Sequence, residues 1–100
     1  TSEIPKTYSL FQNYPNPFNP TTKIKFNLPA TGIAKITIYD ITGKEINLLV
    51  NEYLNQGVYE IEFDGSNFAS GVYFYRLESG KFSETKKMLI IKWFLTVSFF

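Results

Sequence analysis

Residues 57–65 read GVYEIEFDG. Tyr59, Ile61 and Phe63 alternate with Glu60 and Glu62, a period of two residues. Extended backbone with that period sends the three apolar side chains to one face and the two carboxylates to the other, which is the pattern of a half-buried β-strand. Gly57 on one side and Asp64-Gly65 on the other bound the segment with turn residues.

The same reading extends in both directions. Asp64–Gly71 is a turn and crossing loop. Val72–Ser79 (VYFYRLES) is a strand whose two faces are both largely apolar, which predicts a place in the middle of a sheet. Ser79-Gly80-Lys81 is a hairpin turn, and Phe82–Lys92 (FSETKKMLIIK) returns as a further strand. Upstream, Thr22–Leu28 (TKIKFNL) alternates Ile24, Phe26 and Leu28 with Lys23, Lys25 and Asn27. Ala34–Asp40 (AKITIYD), Lys44–Val50 (KEINLLV) and a short Tyr8–Gln12 complete the set, with Asn51–Gln56 read as a loop. No helical period of useful length interrupts them. Short strands at turn spacings of about ten residues predict an all-β, seven-stranded antiparallel β-sandwich. Its core is expected to hold Ile24, Phe26, Ile36, Ile38, Tyr59, Ile61, Phe63, Tyr73 and Tyr75.

Composition bounds the function. The chain has 100 residues, the length of one domain, and 18% aromatics favour strands. A net charge of +1 gives no long-range field toward nucleic acid or an anionic membrane. Without Cys there are no disulfides or thiolate sites, and without His there is no imidazole base or His-bound metal. The usual nucleophile–base pairs are therefore missing, leaving a Ser–Lys pair or two carboxylates as conceivable chemistry. Glu60 and Glu62 read as a solvated strand face. Asp40 and Asp64 each stand beside a turn glycine and read as turn formers rather than Ca²⁺ ligands. No enzyme activity, cofactor, metal or small-molecule substrate is expected. Tyr39, Tyr53 and Phe82 form the one candidate platform for a carbohydrate.

Gln12–Pro29 (QNYPNPFNPTTKIKFNLP) carries four prolines and four asparagines. Pro15, Pro17 and Pro20 fix φ, cannot donate to a ladder, and hold Tyr14, Asn16 and Asn19 in extended or turn conformations. The segment cannot be a central strand. It is expected to cross one end or edge of the sandwich, anchored by Tyr14 and Phe18, with its asparagines satisfying nearby backbone groups.

Leu10–Pro29 also resembles the opening signature of the C-terminal sorting domains of the type IX secretion system. Tyr39–Glu45 (YDITGKE), Gly57–Leu77 and Lys86–Lys92 (KKMLIIK) are similar to later motifs of that family, in the same order. The resemblance covers Tyr8–Lys92. It implies an immunoglobulin-like sandwich at the end of a larger secreted cargo protein, with residues 1–7 as the linker from that cargo. It implies transit through the periplasm, passage by the outer-membrane translocon, and removal by the C-terminal signal peptidase of the system as the cargo is anchored at the cell surface. By resemblance, Asn13, Tyr14, Pro15, Asn16, Pro17, Phe18, Asn19, Pro20, Asp64 and Gly65 are the structural signature. The resemblance also assigns the sorting information to Gly71, Val72 and Tyr73, through Leu77, together with Lys86, Lys87 and Lys92. The competing reading of the lysines is that they solubilise an edge strand. The sandwich is also similar to the immunoglobulin-like domain of flagellar hook-capping proteins, so a non-catalytic binding or assembly module is the alternative. One departure stands out. The family ends near the position of Lys92, whereas this chain adds the apolar tail Trp93–Phe100, expected to hinder sorting.

Overall fold

The computed structural model describes residues 4–92. The apolar tail and the first three linker residues lie outside the described residues. The strands are β1 (Ser9–Leu10), β2 (Thr21–Leu28), β3 (Gly32–Tyr39), β4 (Glu45–Leu54), β5 (Gly57–Asp64), β6 (Gly71–Ser79) and β7 (Phe82–Ile90). They form two antiparallel sheets, β1-β2-β5 and β4-β3-β6-β7, with no helix among the described residues. The expected all-β sandwich is observed.

Alternation builds the core. In β2, Ile24, Phe26 and Leu28 are fully buried while Lys23 and Lys25 point to water. Register against β5 sets Ile24 opposite Ile61 and Phe26 opposite Tyr59 on the inner face, and Lys23 opposite Glu62 and Lys25 opposite Glu60 on the outer. The second sheet contributes Ala34, Ile36, Ile38, Tyr75, Leu77, Met88 and Ile90. β6 lies between β3 and β7, which explains the apolar character of both its faces. The β6–β7 turn has two residues between Ser79 and Phe82, with positive φ at Gly80 alone (59°), a conformation that glycine adopts without strain.

Three expectations are corrected. Asn51–Leu54 is not loop but the end of β4, paired with β3 from Asn51↔Lys35 to Leu54↔Gly32. β4 is a sheet edge, so its polar side chains meet water while its backbone stays in the ladder. Tyr8–Gln12 contains only the two-residue β1, because the chain leaves β2 for a different path after Leu10. Tyr59 and Ile61 are half-buried rather than buried, since β5 also forms an edge and has only one neighbour to cover its inner face.

Candidate functional site: the proline strap and the C-terminal hairpin

The segment between β1 and β2 is a strap from the small sheet to the free edge of β7. Near β1, Phe11 N donates to Lys25 O (3.0 Å), and Tyr14 and Lys23 exchange two backbone bonds of 3.0 Å. At the far side, Phe18 N donates to Leu89 O (3.1 Å) and Ile91 N donates to Phe18 O (3.0 Å). Side chains fill the places where proline supplies no donor. Gln12 Nε2 donates to Lys87 O (2.7 Å), and Leu89 N donates to Asn16 Oδ1 (3.0 Å). The peptide bonds before Pro15, Pro17 and Pro20 are cis. The strap thus satisfies Lys87 O, both outward groups of Leu89 and the N–H of Ile91, along what would otherwise be an open edge of β7.

A buried polar network ties the strap to both sheets. The Tyr75 hydroxyl, on β6, accepts from Asn13 N and donates to Phe11 O, both at 2.8 Å. Asn13, only 2% exposed, donates through Nδ2 to Thr22 Oγ1 (3.0 Å) and Pro15 O (3.2 Å), and its Oδ1 accepts from Gln12 Nε2 (2.7 Å). Thr22 donates its own hydroxyl to Pro15 O (2.8 Å). Burial pushes the Tyr75 hydroxyl up to about 12, with the Asn13 N–H opposing that rise. Burial also raises Tyr73, whose hydroxyl donates to Ala69 O (2.8 Å).

Phe18 is the apolar anchor. It is 2% exposed and meets Phe63 edge-on at 6.1 Å between centroids. Gly65 lies beneath it. A Cβ there would stand 3.1 Å from Ile90 Cδ1, 3.2 Å from the Phe18 ring and 3.3 Å from Pro20 O, and Gly65 N donates to Pro20 O (2.8 Å). Asp64 shapes the adjoining turn by accepting from the hydroxyl and N–H of Ser66, which hold its carboxyl below the usual carboxylate range. Asp40 is lowered in the same way, first by the Thr42 hydroxyl and then by Lys44 N–H. Tyr14 is no anchor. It is 80% exposed, because the bonds it exchanges with Lys23 turn its side chain to the solvent face of β2. Asn19 and Pro20 are exposed at the end of the strap.

On the outer face of β6 and β7, Val72 stands opposite Leu89 and Phe74 opposite Lys87. There the strap borders a groove of about 260 Å³ lined by Asn16, Pro17, Val72, Lys87, Met88 and Leu89. Among the described residues no cluster of acidic groups is placed to hold a metal. The three aromatics read as a carbohydrate platform are apart. Phe82 stacks on Tyr8 at 5.0 Å, Tyr39 lies under the Arg76 guanidinium, and Tyr53 pairs with Ile33 at the opposite end of β3.

Comparison with known families supplies what geometry alone does not. A family model described as the secretion system C-terminal sorting domain matches residues 12–92. The chain belongs to this family. The sorting domain is a C-terminal signal for type IX secretion, which sends its cargo toward the cell surface or outside; such a role is non-catalytic. A search of curated proteins finds no match to the chain.

The structure divides the residues that the resemblance assigned to sorting. Val72 and Lys87 share the groove with Asn16 and Pro17 of the signature. Lys86 falls on the opposite face, with Met88 and Ile90, opposite Tyr75 and 3.4 Å from Glu84. Tyr73 faces the core, and Gly71 starts β6 opposite Ile90. Lys92 is held by the loop after β5: its ammonium donates to Ser66 O, and its backbone N donates to Ser70 Oγ (2.9 Å). Sequence reasoning passed over Gln12 and the Thr22–Tyr75 network. The signal for Thr22 was a polar residue at an inward phase of β2.

Proposed function

We propose that the outer-membrane translocon reads the sorting domain at the groove between the strap and the β6–β7 hairpin. The supporting observation is the meeting of Asn16 and Pro17, from one end of the sequence, with Val72 and Lys87 from the other. The groove offers apolar side chains beside one exposed cation, a combination suited to a partner loop with an apolar residue next to a carboxylate. Residues 8–92 act as the sorting unit, residues 1–7 link it to the cargo, and the fold is related to immunoglobulin-like sandwiches. The cargo crosses the periplasm, and the C-terminal signal peptidase then releases it from the domain at the surface. In this reading Lys87 contacts the translocon, while Lys86 and Lys92 act within the domain.

The test is a periplasmic reporter fused ahead of Tyr8–Lys92 in a host with a type IX system. Lys87→Glu should reduce surface display while leaving the melting temperature within a few degrees. Lys23→Glu, on the other sheet, should leave display intact. Equal display from both variants would defeat the assignment of the groove.

A further inference from the structure

The four sheet edges of the sorting domain are not equally protected. β1 is two residues long. β7 is covered by the strap from Lys87 onward, and its remaining part points Glu84 and Lys86 inward, a device that discourages strand pairing. β4 is broken by register shifts between Ile36/Thr37 and Ile38/Tyr39 of its partner. β5 has none of these features. It pairs with β2 in unbroken register over its whole length, contains no proline, and points only Tyr59, Ile61 and Phe63 inward.

The direction of its free groups follows from the ladder. Lys23 of β2 spends both its outward backbone groups on Tyr14, and Lys25 its C=O on Phe11 N. Antiparallel bonding alternates, so Ile24 and Phe26 exchange bonds with Ile61 and Tyr59. The N–H and C=O of Val58, Glu60 and Glu62 therefore point away from β2. Among the described residues no hydrogen bond reaches them. Their side chains are exposed, Val58 at 54%.

We propose that the β5 edge is a second docking surface, which accepts an extended segment of a partner protein by strand addition. Charge and burial define that segment. On the covered side of β5, Lys25 and Lys23 stand across from Glu60 and Glu62. Glu60 lies 3.9 Å from the Lys23 ammonium on that covered side, whereas across the open edge no cation among the described residues faces either carboxylate. An added strand places its residues opposite Val58, Glu60 and Glu62 on the outer face, where Lys or Arg fits, and its intervening residues over half-buried Tyr59 and Ile61, where aliphatic or aromatic groups fit. The partner is a strand that alternates basic and apolar residues. A second copy of the domain is disfavoured, because antiparallel β5–β5 pairing sets Glu60 and Glu62 against like charges. The surface lies apart from the translocon groove and does not depend on that assignment.

The probe is the peptide TTKIKFNL, which has the pattern β5 already accepts on its other side. Its binding to the full chain should protect the amides of Val58, Glu60 and Glu62 from hydrogen exchange. The charge-swapped peptide TTEIEFNL should bind at least about tenfold more weakly. Glu60→Pro removes an outward N–H that β2 does not use and should weaken TTKIKFNL by at least about tenfold. In a second variant, Glu60→Lys with Glu62→Lys, the preference should reverse toward TTEIEFNL. No binding, protection confined to β4 or β7, or a preference that does not reverse would each overturn the proposal. Concentration-dependent dimers that protect β5 without peptide would overturn it in favour of self-pairing. None of these readouts involves secretion, so they fail or succeed separately from the sorting assay.

Discussion

Replacing Phe18 by Ala should cost about 3–5 kcal/mol, the range for truncating a buried Phe where the surroundings relax only partly. The structure places this side chain toward the upper part of the range. The ring is 2% exposed, meets Phe63 edge-on, and roofs Gly65, which has no side chain to fill the void. Its neighbours are also fixed from the backbone, since Phe18 bonds to Leu89 and Ile91, so the strap cannot collapse inward without breaking the β7 edge. A domain of this length has roughly 5–15 kcal/mol of stability, so the change removes a large part of it. The melting temperature should fall by at least about 12 °C. Tyr14→Ala is the internal control: same strap, same residue class, but 80% exposed. It should change stability by less than about 0.5 kcal/mol. Equilibrium denaturation followed by circular dichroism measures both. Equal midpoints for the two variants would refute the view that the strap is pinned through Phe18.

Other outcomes follow from the same contacts. Gly65→Ala should destabilise by about 1–3 kcal/mol, because the new Cβ meets Ile90, Phe18 and a carbonyl oxygen, whereas Gly32→Ala, with open space around it, should be close to neutral in thermal melts. The Tyr75 hydroxyl is raised to about 12 by burial, so its share of stability is whole below the unfolded value near 10 and is lost as pH rises from about 10 to 12; Tyr75→Phe should flatten that alkaline limb in pH-dependent denaturation. Truncation after Lys92 removes an apolar stretch with four aromatics and no charge, and should raise solubility and surface display of a fused reporter; equal display with and without the tail would show it to be neutral.

Much of the fold was legible because a period of two is a strong signal where one face is buried. For that reason the period places β2, β5 and β6 to within a residue at each end. An edge strand exposes its side chains, so Asn51-Glu52-Tyr53 at the end of β4 reads as a loop although its backbone is paired. The strap was legible as an edge cover, since proline excludes a ladder, and Phe18 as its anchor. Tyr14 reads as a second anchor but faces solvent, because an irregular segment has no period from which to read which side faces inward. Lys86 and Lys87 could be separated by phase once Met88 and Ile90 were seen as core. The tie between Lys92 and the Ser66 carbonyl joins residues 26 positions apart, and nothing local marks it. The groove joins residues still further apart in sequence, and only the folded hairpin and strap bring them together.

In the proposed function, residues 8–92 are by themselves a type IX sorting signal. Protease accessibility of a reporter on intact cells tests it most directly, comparing a host with a working type IX system and the same host with its translocon inactivated. A surface-exposed reporter is expected only when the domain and the translocon are both present, with retention in the periplasm when Gly71–Lys92 is deleted. A reporter carrying residues 8–92 that stays in the periplasm of the working host, or reaches the surface equally without the translocon, would contradict it.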